Sequence, residues 1–215
     1  MRTLTTIGKL QVSIGLIWLF HLSGIIGIIY SESEWFIRAT PVNLLLSFGL
    51  VILNTPWNTK SVLVAALCFF IGMTAEILGV QYGWLFGRYS YGEILGMKFF
   101  GVPILIGINW CMLVFITGQI ARFFTASFWI KSLLGVGLMV FLDLVMEPIA
   151  PVLDFWTFEG GTAPWQNYLG WGIVAFPLQM IFHKVSPKLK TVFAFHLFFL
   201  QFLFFTLLLI RLNSL

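Results

Sequence analysis

The sequence predicts an all-α integral membrane protein, a bundle of about seven transmembrane helices with a cytoplasmic N-terminus. Hydrophobic residues fill 60% of the 215 positions, charged residues fill only 9%, and the mean hydropathy is +0.99. This composition lies far from that of soluble domains. Apolar runs near 20 residues recur along the chain, which is the length that a helix needs to cross a hydrocarbon core of about 30 Å. Because no linker or repeat interrupts these runs, residues 1–215 are expected to form a single domain.

Seven apolar segments account for this pattern. The first follows Arg2 and Lys9 and is too long for the core of a signal peptide, so we expect a retained first span. The second and sixth are short for a bilayer and are expected to be longer than their apolar cores, tilted or partly re-entrant. The segments cover residues 10–30, 42–53, 62–80, 102–121, 129–147, 168–182 and 192–210.

Charges in the loops give these spans a direction. Seven spans put eight basic residues on one side with no acidic ones, against four basic residues on the other side. Cytoplasmic loops carry the excess of Lys and Arg, so the N-terminus is predicted inside and the C-terminus outside. The net charge of +4 then reflects orientation, and the expected partner is the lipid bilayer, not a nucleic acid. The inner residues are Arg2, Lys9, Lys60, Arg122, Lys131, Lys184, Lys188 and Lys190, and the outer ones are Arg38, Arg88, Lys98, Arg211, Glu32, Glu34, Glu93, Asp154 and Glu159.

Five polar side chains fall inside the predicted spans and in the outer half of the bilayer. At a rise of about 1.5 Å per residue, Glu76 lies roughly 24 Å and Asp143 roughly 18 Å from the inner surface, and Glu147 lies one turn further out. Asn109 and His21 lie roughly 9 and 13 Å in from the outer side. Because ionisable groups at such depths normally face the bundle interior or a water-filled cavity, we expect these residues to cluster.

Asp143 and Glu147 stand four residues apart and therefore share one face of a helix. Desolvation and like-charge repulsion both favour keeping one carboxyl of such a pair protonated, which makes the pair a candidate proton donor. Pro148 and Pro151 end the helix beside it. The same pair would also fit a helix end solvated at the outer interface.

Structural roles remain open for the other polar residues. Glu76 would also fit a carboxylate paired with Arg88 or with a tyrosine, and His21 would also fit a hydrogen-bonded packing residue. No two histidines stand at metal-ligand spacing, so no metal site is expected. The chain has no P-loop, nucleophile elbow or dinucleotide fingerprint, so no cofactor is expected.

Aromatic residues are abundant, with 24 Phe, 9 Trp and 5 Tyr, and many stand where membrane anchoring does not explain them. Trp110 follows Asn109 inside the fourth span, and others crowd the third and fifth loops on the outer side. Aromatic faces beside a proton donor suit a long apolar substrate and a positive charge that develops on carbon. The loop aromatics are Trp84, Phe86, Tyr89, Tyr91, Trp156, Trp165, Tyr168 and Trp171.

Three groups of residues between positions 70 and 175 form specific motifs. They read Glu76-x-x-Gly79 with Tyr82-Gly83-x-x-Phe86-Gly87-x-Tyr89-x-Tyr91-Gly92, then Pro103 with Asn109-Trp110, and then Asp143-x-x-x-Glu147-Pro148-x-Ala150 with Phe155-Trp156 and Gln166-Asn167-Tyr168-x-Gly170-Trp171. Together they resemble the integral-membrane carotenoid hydratases. The chain departs from that pattern at Thr162-Ala163-Pro164-Trp165, where a Gly-Val-Pro run is expected.

The resemblance implies that water adds to the terminal C1–C2 double bond of a linear carotenoid end of the lycopene or γ-carotene type, without a cofactor. A carboxylic acid would protonate C2, aromatic faces would stabilise a tertiary cation at C1, and a water positioned by a second carboxylate or by Asn109 would attack it. Other enzymes of the same pathway are possible partners, and a bacterial or archaeal cytoplasmic membrane is the expected location. The candidate catalytic residues are Asp143, Glu76, Glu147 and Asn109, and the candidate substrate-binding residues are Trp110, Tyr82, Phe86, Tyr89, Tyr91, Trp156, Asn167, Trp171 and His21.

Three other functions are compatible with parts of this pattern. A carotenoid cyclase would form the same cation and trap it with an internal double bond. A proton-coupled transporter would use the three acids as a relay, although only Gln119, Gln179 and Gln201 continue it inward. A retinal protein would need a lysine in the last span, and residues 192–210 contain none. The identity of the carotenoid and the number of ends modified are left open.

Overall fold

A bundle of seven long helices dominates the computed structural model, which describes residues 8–31 and 34–212. A short helix, α2 (Glu34–Arg38), precedes the second long one. Arg2 and Glu32, which contribute to the loop-charge prediction, lie outside the described residues. The long helices are α1 (Lys9–Tyr30), α3 (Thr40–Leu53), α4 (Thr59–Tyr82), α5 (Ile104–Phe124), α6 (Phe128–Met146), α7 (Trp165–Val185) and α8 (Thr191–Leu212).

Six segments of the described chain are long and apolar enough to cross a membrane, namely α1, α2 with α3, α4, α5, α6 and α8. The seventh long helix, α7, has 21 residues and packs along α4, α5 and α6, but its composition is less apolar. Asn167, Gln179 and His183 are all buried on it, so these three polar residues face the bundle and not the lipid. The predicted all-helical membrane bundle is therefore confirmed, with one helix whose hydropathy is lowered by interior polar groups.

Both segments that looked short in the sequence belong to longer helical stretches. The segment 42–53 is the body of α3, and α2 extends it back to Glu34. Pro41 stands in the first turn of α3, where backbone N–H groups have no partner within the helix, so proline is tolerated there. A new helix, α3, therefore begins after α2. The segment 168–182 is the middle of α7, whose Pro177 lies inside the helix. Both helices carry polar residues near their ends, so each helix is longer than its apolar run in the sequence.

Helix α5 occupies the centre of the bundle and is buried along most of its length. It packs against α3, α4, α6, α7 and α8. Because five helices surround it, its side chains point into the protein on nearly every face. This position brings Asn109 and Trp110, near the start of α5, into the interior of the bundle at the end where α5 begins.

Two small antiparallel sheets cover the end of the bundle at which α4 and α6 finish and α5 and α7 begin. Strand β1 (Tyr89–Tyr91) pairs with β4 (Trp156–Phe158), and β2 (Lys98–Phe99) pairs with β3 (Val102–Pro103). Alternate residues of a strand point to the same face, so Tyr89 and Tyr91 share a face while Ser90 is exposed on the other. The sequence did not predict these strands, because each has only two or three residues and no measurable periodicity.

Asp154 ties the two covering loops together. One of its carboxylate oxygens, Oδ2, accepts hydrogen bonds from the backbone N–H groups of Glu93, at 2.8 Å, and Ile94, at 3.3 Å. The N–H of Gly92 donates to the carbonyl of Phe155 at 3.0 Å. A Cβ at position 92 would lie 2.2 Å from the Asp154 carbonyl oxygen, so this close approach requires glycine. These hydrogen bonds between residues 92–94 and 154–155 hold β1 and β4 in register above the end of the bundle.

Candidate active site

Three carboxylates meet beneath the sheet formed by β1 and β4. Glu76 is in the last two turns of α4, Asp143 is in the last turn of α6, and Glu147 follows the end of α6. All three are buried, and Asp143 is fully so. Together with aromatic side chains they line a cavity of about 20 Å³, which has room for about one water molecule. The three acids, which helical rise alone places at similar depths, thus share one enclosed space.

Glu76 accepts three hydrogen bonds from the side chains around it. Its Oε2 accepts from the hydroxyl groups of Tyr89, at 2.5 Å, and Tyr91, at 2.7 Å. Its Oε1 accepts from the indole nitrogen of Trp110 at 2.9 Å. In this arrangement both oxygens of Glu76 act as acceptors. Of the two pairings that the sequence left open, the structure forms the tyrosine pairing, while Arg88 is exposed.

The two tyrosines lie in the loop above the bundle and keep their protons. Burial, followed by the charge of Glu76, raises the pKa of Tyr89 well above its usual value. The same two causes raise the pKa of Tyr91. Both hydroxyl groups therefore remain donors to Glu76 at any physiological pH.

Asn167 joins the other two carboxylates. Its side-chain nitrogen donates to Asp143 Oδ2 at 2.8 Å and to Glu147 Oε1 at 3.0 Å. Glu147 Oε2 also accepts from the indole nitrogen of Trp156 at 3.1 Å. The remaining oxygen, Asp143 Oδ1, is buried and accepts no hydrogen bond from an N–H or hydroxyl donor within the described residues. The Asp143 side chain also lies within hydrogen-bonding reach of the Glu147 carboxyl group.

A stacked pair of tryptophans forms another wall of the site. The rings of Trp110 and Trp171 lie 4.4 Å apart between centroids, at an interplanar angle of 21°. Trp110 is fully buried against α4, where a Cβ on Gly72 would lie 2.5 Å from its ring. Gly72 precedes Glu76 by one helical turn and so shares its face. A glycine one turn before a buried acid was the sequence signal for this close approach of Trp110 to α4.

A much larger cavity adjoins the carboxylate site. Its volume is about 590 Å³, and its lining is mostly apolar and comes chiefly from α1, α3, α5, α6 and α8. Ile106, Asn109 and Met146 line both cavities, so the two spaces share a border. Leu19 and Val42 line the large cavity and are 59% and 58% exposed on the outside of the bundle. The large cavity therefore reaches the lipid-facing surface between α1 and α3.

Eleven of the thirteen candidate residues line the small cavity: Glu76, Phe86, Tyr89, Tyr91, Asn109, Trp110, Asp143, Glu147, Trp156, Asn167 and Trp171. His21 lines the large cavity instead, and its Nδ1 bonds with the Ile17 carbonyl at 2.8 Å. Tyr82 lies outside both cavities, is 63% exposed and contacts Trp84. The sequence did not predict Phe158, which lines the small cavity from β4, because nothing in the chain predicted that strand.

Comparison with known proteins agrees with this geometry. A family model described as "Carotenoid biosynthesis protein" matches residues 40–214. The chain is also similar to the bisanhydrobacterioruberin hydratase of Haloarcula japonica, with 31% identity over 121 residues. That alignment covers 51% of this chain but only 39% of the relative, and no solved structure shows a significant match. Because the family model extends from α3 to the end of α8, the chain belongs to the family of carotenoid biosynthesis proteins, as its motifs predicted.

Proposed function

We propose that this protein is a carotenoid-modifying enzyme that adds water to the terminal C1–C2 double bond of a linear carotenoid. The observation that carries the proposal is the enclosed group of three carboxylates and two stacked tryptophans at the edge of a large apolar cavity. An isolated double bond in a hydrocarbon reacts with water only after protonation. The site contains a candidate acid, a wall of π-faces and a place for water, which are the elements that this reaction needs.

Asp143 is the proposed acid. Its Oδ2 is held by Asn167, and its side chain lies within hydrogen-bonding reach of the Glu147 carboxyl group. Glu147 shares the Asn167 amide, so two carboxyl groups lie close together away from water. Such a pair favours a form that keeps one proton, because two adjacent buried negative charges repel each other. Transfer of this proton to C2 leaves a tertiary cation at C1 and an ionised carboxylate pair.

Glu76 and the tryptophans are proposed to stabilise that cation. The hydrogen bond from Trp110 to Glu76 holds the plane of the indole beside a negative charge. A desolvated cation–π contact is worth about 2 kcal/mol, and a fixed carboxylate acts more strongly in a water-excluded site than in solution. Because Tyr89 and Tyr91 already hold the carboxylate in position, it need not reorganise when the cation forms.

Asn109 is the proposed ligand of the attacking water. Its side chain is half buried and lines both cavities, and no hydrogen bond engages its amide within the described residues. Water that bonds to this amide would stand between the apolar cavity and the carboxylates. After it attacks C1, its extra proton returns to the carboxylate pair, which restores the acid for the next turnover. The product is a tertiary alcohol, and no group is consumed except water.

The large cavity is the proposed site of the polyene. Its volume of about 590 Å³ falls within the range of small-molecule sites, and its exposed edge at Leu19 and Val42 faces lipid. A hydrocarbon dissolved in the bilayer would enter it sideways, without crossing water. A long carotenoid would leave its remaining length in the lipid while one end reaches Asn109.

Expression in a host that accumulates lycopene, followed by mass spectrometry of the pigments, tests the proposal. Wild-type protein is expected to yield a product that is heavier than the substrate by one water. Asp143→Asn is expected to yield none, whereas Glu159→Gln, which makes the same acid-to-amide change on an exposed loop residue, retains activity. A cyclic product of unchanged mass would instead identify a cyclase. Unchanged pigment in cells that contain the wild-type protein would contradict the proposal.

A further inference from the structure

The large cavity carries a strip of polar groups on its α1, α3 and α8 side, which is formed by Asn43, Ser47, Gln201 and His21. The side-chain oxygens of Asn43, Ser47 and Gln201 are buried, and none has a hydrogen-bond partner within the described residues. Unpaired polar atoms are uncommon in protein interiors because leaving them unpaired is costly. Three of them on the wall of one cavity indicate that this wall binds a polar ligand.

Ser47 gives the clearest sign of such a ligand. Hydroxyl groups in these helices commonly bond to the carbonyl one turn earlier, as Ser13 does to Lys9 at 2.9 Å and Ser132 does to Phe128 at 2.8 Å. That local bond satisfies the hydroxyl without any outside partner. Ser47 is only 2% exposed, lines the cavity and does not make the bond. Its hydroxyl is therefore available to a molecule in the cavity.

His21 adds an acceptor to the strip. Its Nδ1 lies 2.8 Å from the carbonyl oxygen of Ile17, and this contact is a hydrogen bond only when Nδ1 carries the hydrogen. In that tautomer the neutral ring presents Nε2 as an acceptor. The strip thus combines acceptors with the amide and hydroxyl donors of its other members, and this combination suits a small ligand that both donates and accepts.

The strip lies at the depth of the proposed reaction. At about 1.5 Å per residue, Asn43 is roughly 5 Å and Ser47 roughly 10 Å below the start of α3. Asn109 is roughly 8 Å below the start of α5 at the same end of the bundle. Helix α5 packs directly against both α3 and α8, so the helix that carries Asn109 adjoins the helices that carry the strip.

We infer that the polar strip holds water molecules and supplies the one that attacks the cation, an inference that rests on the proposed function. Asn43 lies near the outer end of α3 and Ser47 one turn deeper, so the strip leads from the interface into an otherwise apolar cavity. Buried waters typically make about three hydrogen bonds, and the strip and Asn109 offer that number. Water that reaches C1 forms a C–O bond and releases a proton to the carboxylates. A cation without water loses a proton from a neighbouring carbon and returns to an alkene.

The two fates of the cation provide the test. Membranes are incubated with lycopene in deuterated water, and both the alcohol and the deuterium in recovered alkene are measured by mass spectrometry. Ser47→Ala and Gln201→Leu are expected to lower the alcohol about three- to ten-fold relative to deuterated alkene, as the loss of a hydrogen bond to water implies. Ser47→Thr keeps the hydroxyl and should restore the ratio. Ser13→Ala removes a buried hydroxyl that is already bonded to its own helix and should not change it.

The ratio separates a water-binding role from a merely structural one. A variant that only folds less well lowers the alcohol and the deuterated alkene together and leaves their ratio unchanged. An unchanged ratio in both strip variants would overturn the inference. Wild-type protein that forms neither product would instead contradict the proposed function itself. Because the readout is a ratio within one sample, it does not depend on the amount of protein in the membrane.

Discussion

The indole nitrogen of Trp110 donates to Glu76 Oε1 across 2.9 Å, linking the start of α5 to the end of α4. The same ring stacks on Trp171 at the start of α7. A single side chain thus connects a buried carboxyl group to a second aromatic ring on a third helix. Both tryptophans line the small cavity together with Glu76 and with the pair formed by Asp143 and Glu147.

Asp143→Asn is expected to reduce hydration by at least a hundred-fold, whereas Trp110→Leu should reduce it by about ten-fold. General acid catalysis commonly contributes 10²–10⁴ in rate, but a cation–π contact of about 1–2 kcal/mol corresponds to roughly ten-fold. Turnover is measured in membranes at equal protein. An active Asp143→Asn variant beside an inactive Trp110→Leu variant would reverse the assigned roles and make the tryptophan a structural residue.

Glu76→Gln should abolish hydration and also lower stability. The amide has one oxygen where the carboxylate has two acceptors, so at least one of the three donors Tyr89, Tyr91 and Trp110 loses its partner. An unpaired buried donor costs about 1–3 kcal/mol. Thermal unfolding in detergent, with Tyr91→Phe as the comparison, measures this cost, because Tyr91→Phe removes one donor and keeps the acid. Equal melting temperatures for Glu76→Gln and wild type would contradict the hydrogen-bond arrangement.

Asn167→Leu should impair activity about ten- to hundred-fold, because a misplacement of a catalytic group by about 1 Å can cost up to a hundred-fold in rate. Its side-chain nitrogen is the donor shared by Asp143 and Glu147, so its removal leaves both carboxylates without their common partner. Gln166→Leu, one residue earlier on an exposed side chain, is the matched control. Full activity of Asn167→Leu would mean that the pair needs no positioning.

The predicted orientation places the loop with Arg88 outside the cell and the loop with Lys188 in the cytoplasm. Both side chains are exposed, so Arg88→Cys and Lys188→Cys can be labelled by a thiol reagent that does not cross membranes. The native cysteines, Cys68 and Cys111, are buried and should not react. Labelling of position 88 but not 188 in intact cells is the expected result. Labelling of both positions from the outside would contradict a seven-span topology.

The sequence alone determined the helical bundle and the depth of its polar residues. Helical rise and the length of apolar runs are local properties, so Glu76, Asp143 and Glu147 could be assigned to one layer before any contact was known. The motifs then predicted eleven of the residues that line the small cavity. They also included Tyr82, which shares the loop with true lining residues but points away from them.

Only the tertiary structure decided which groups meet. The three donors to Glu76 come from a strand and a helix 13 to 34 residues away in the chain, and no periodic pattern encodes such pairings. The stack of Trp110 on Trp171, the shared amide of Asn167 and the polar strip along α1, α3 and α8 likewise depend on how the helices pack. Side-chain contacts between distant segments are set by the shape of the whole bundle, whereas spans and depth are set by the chemistry of each segment alone.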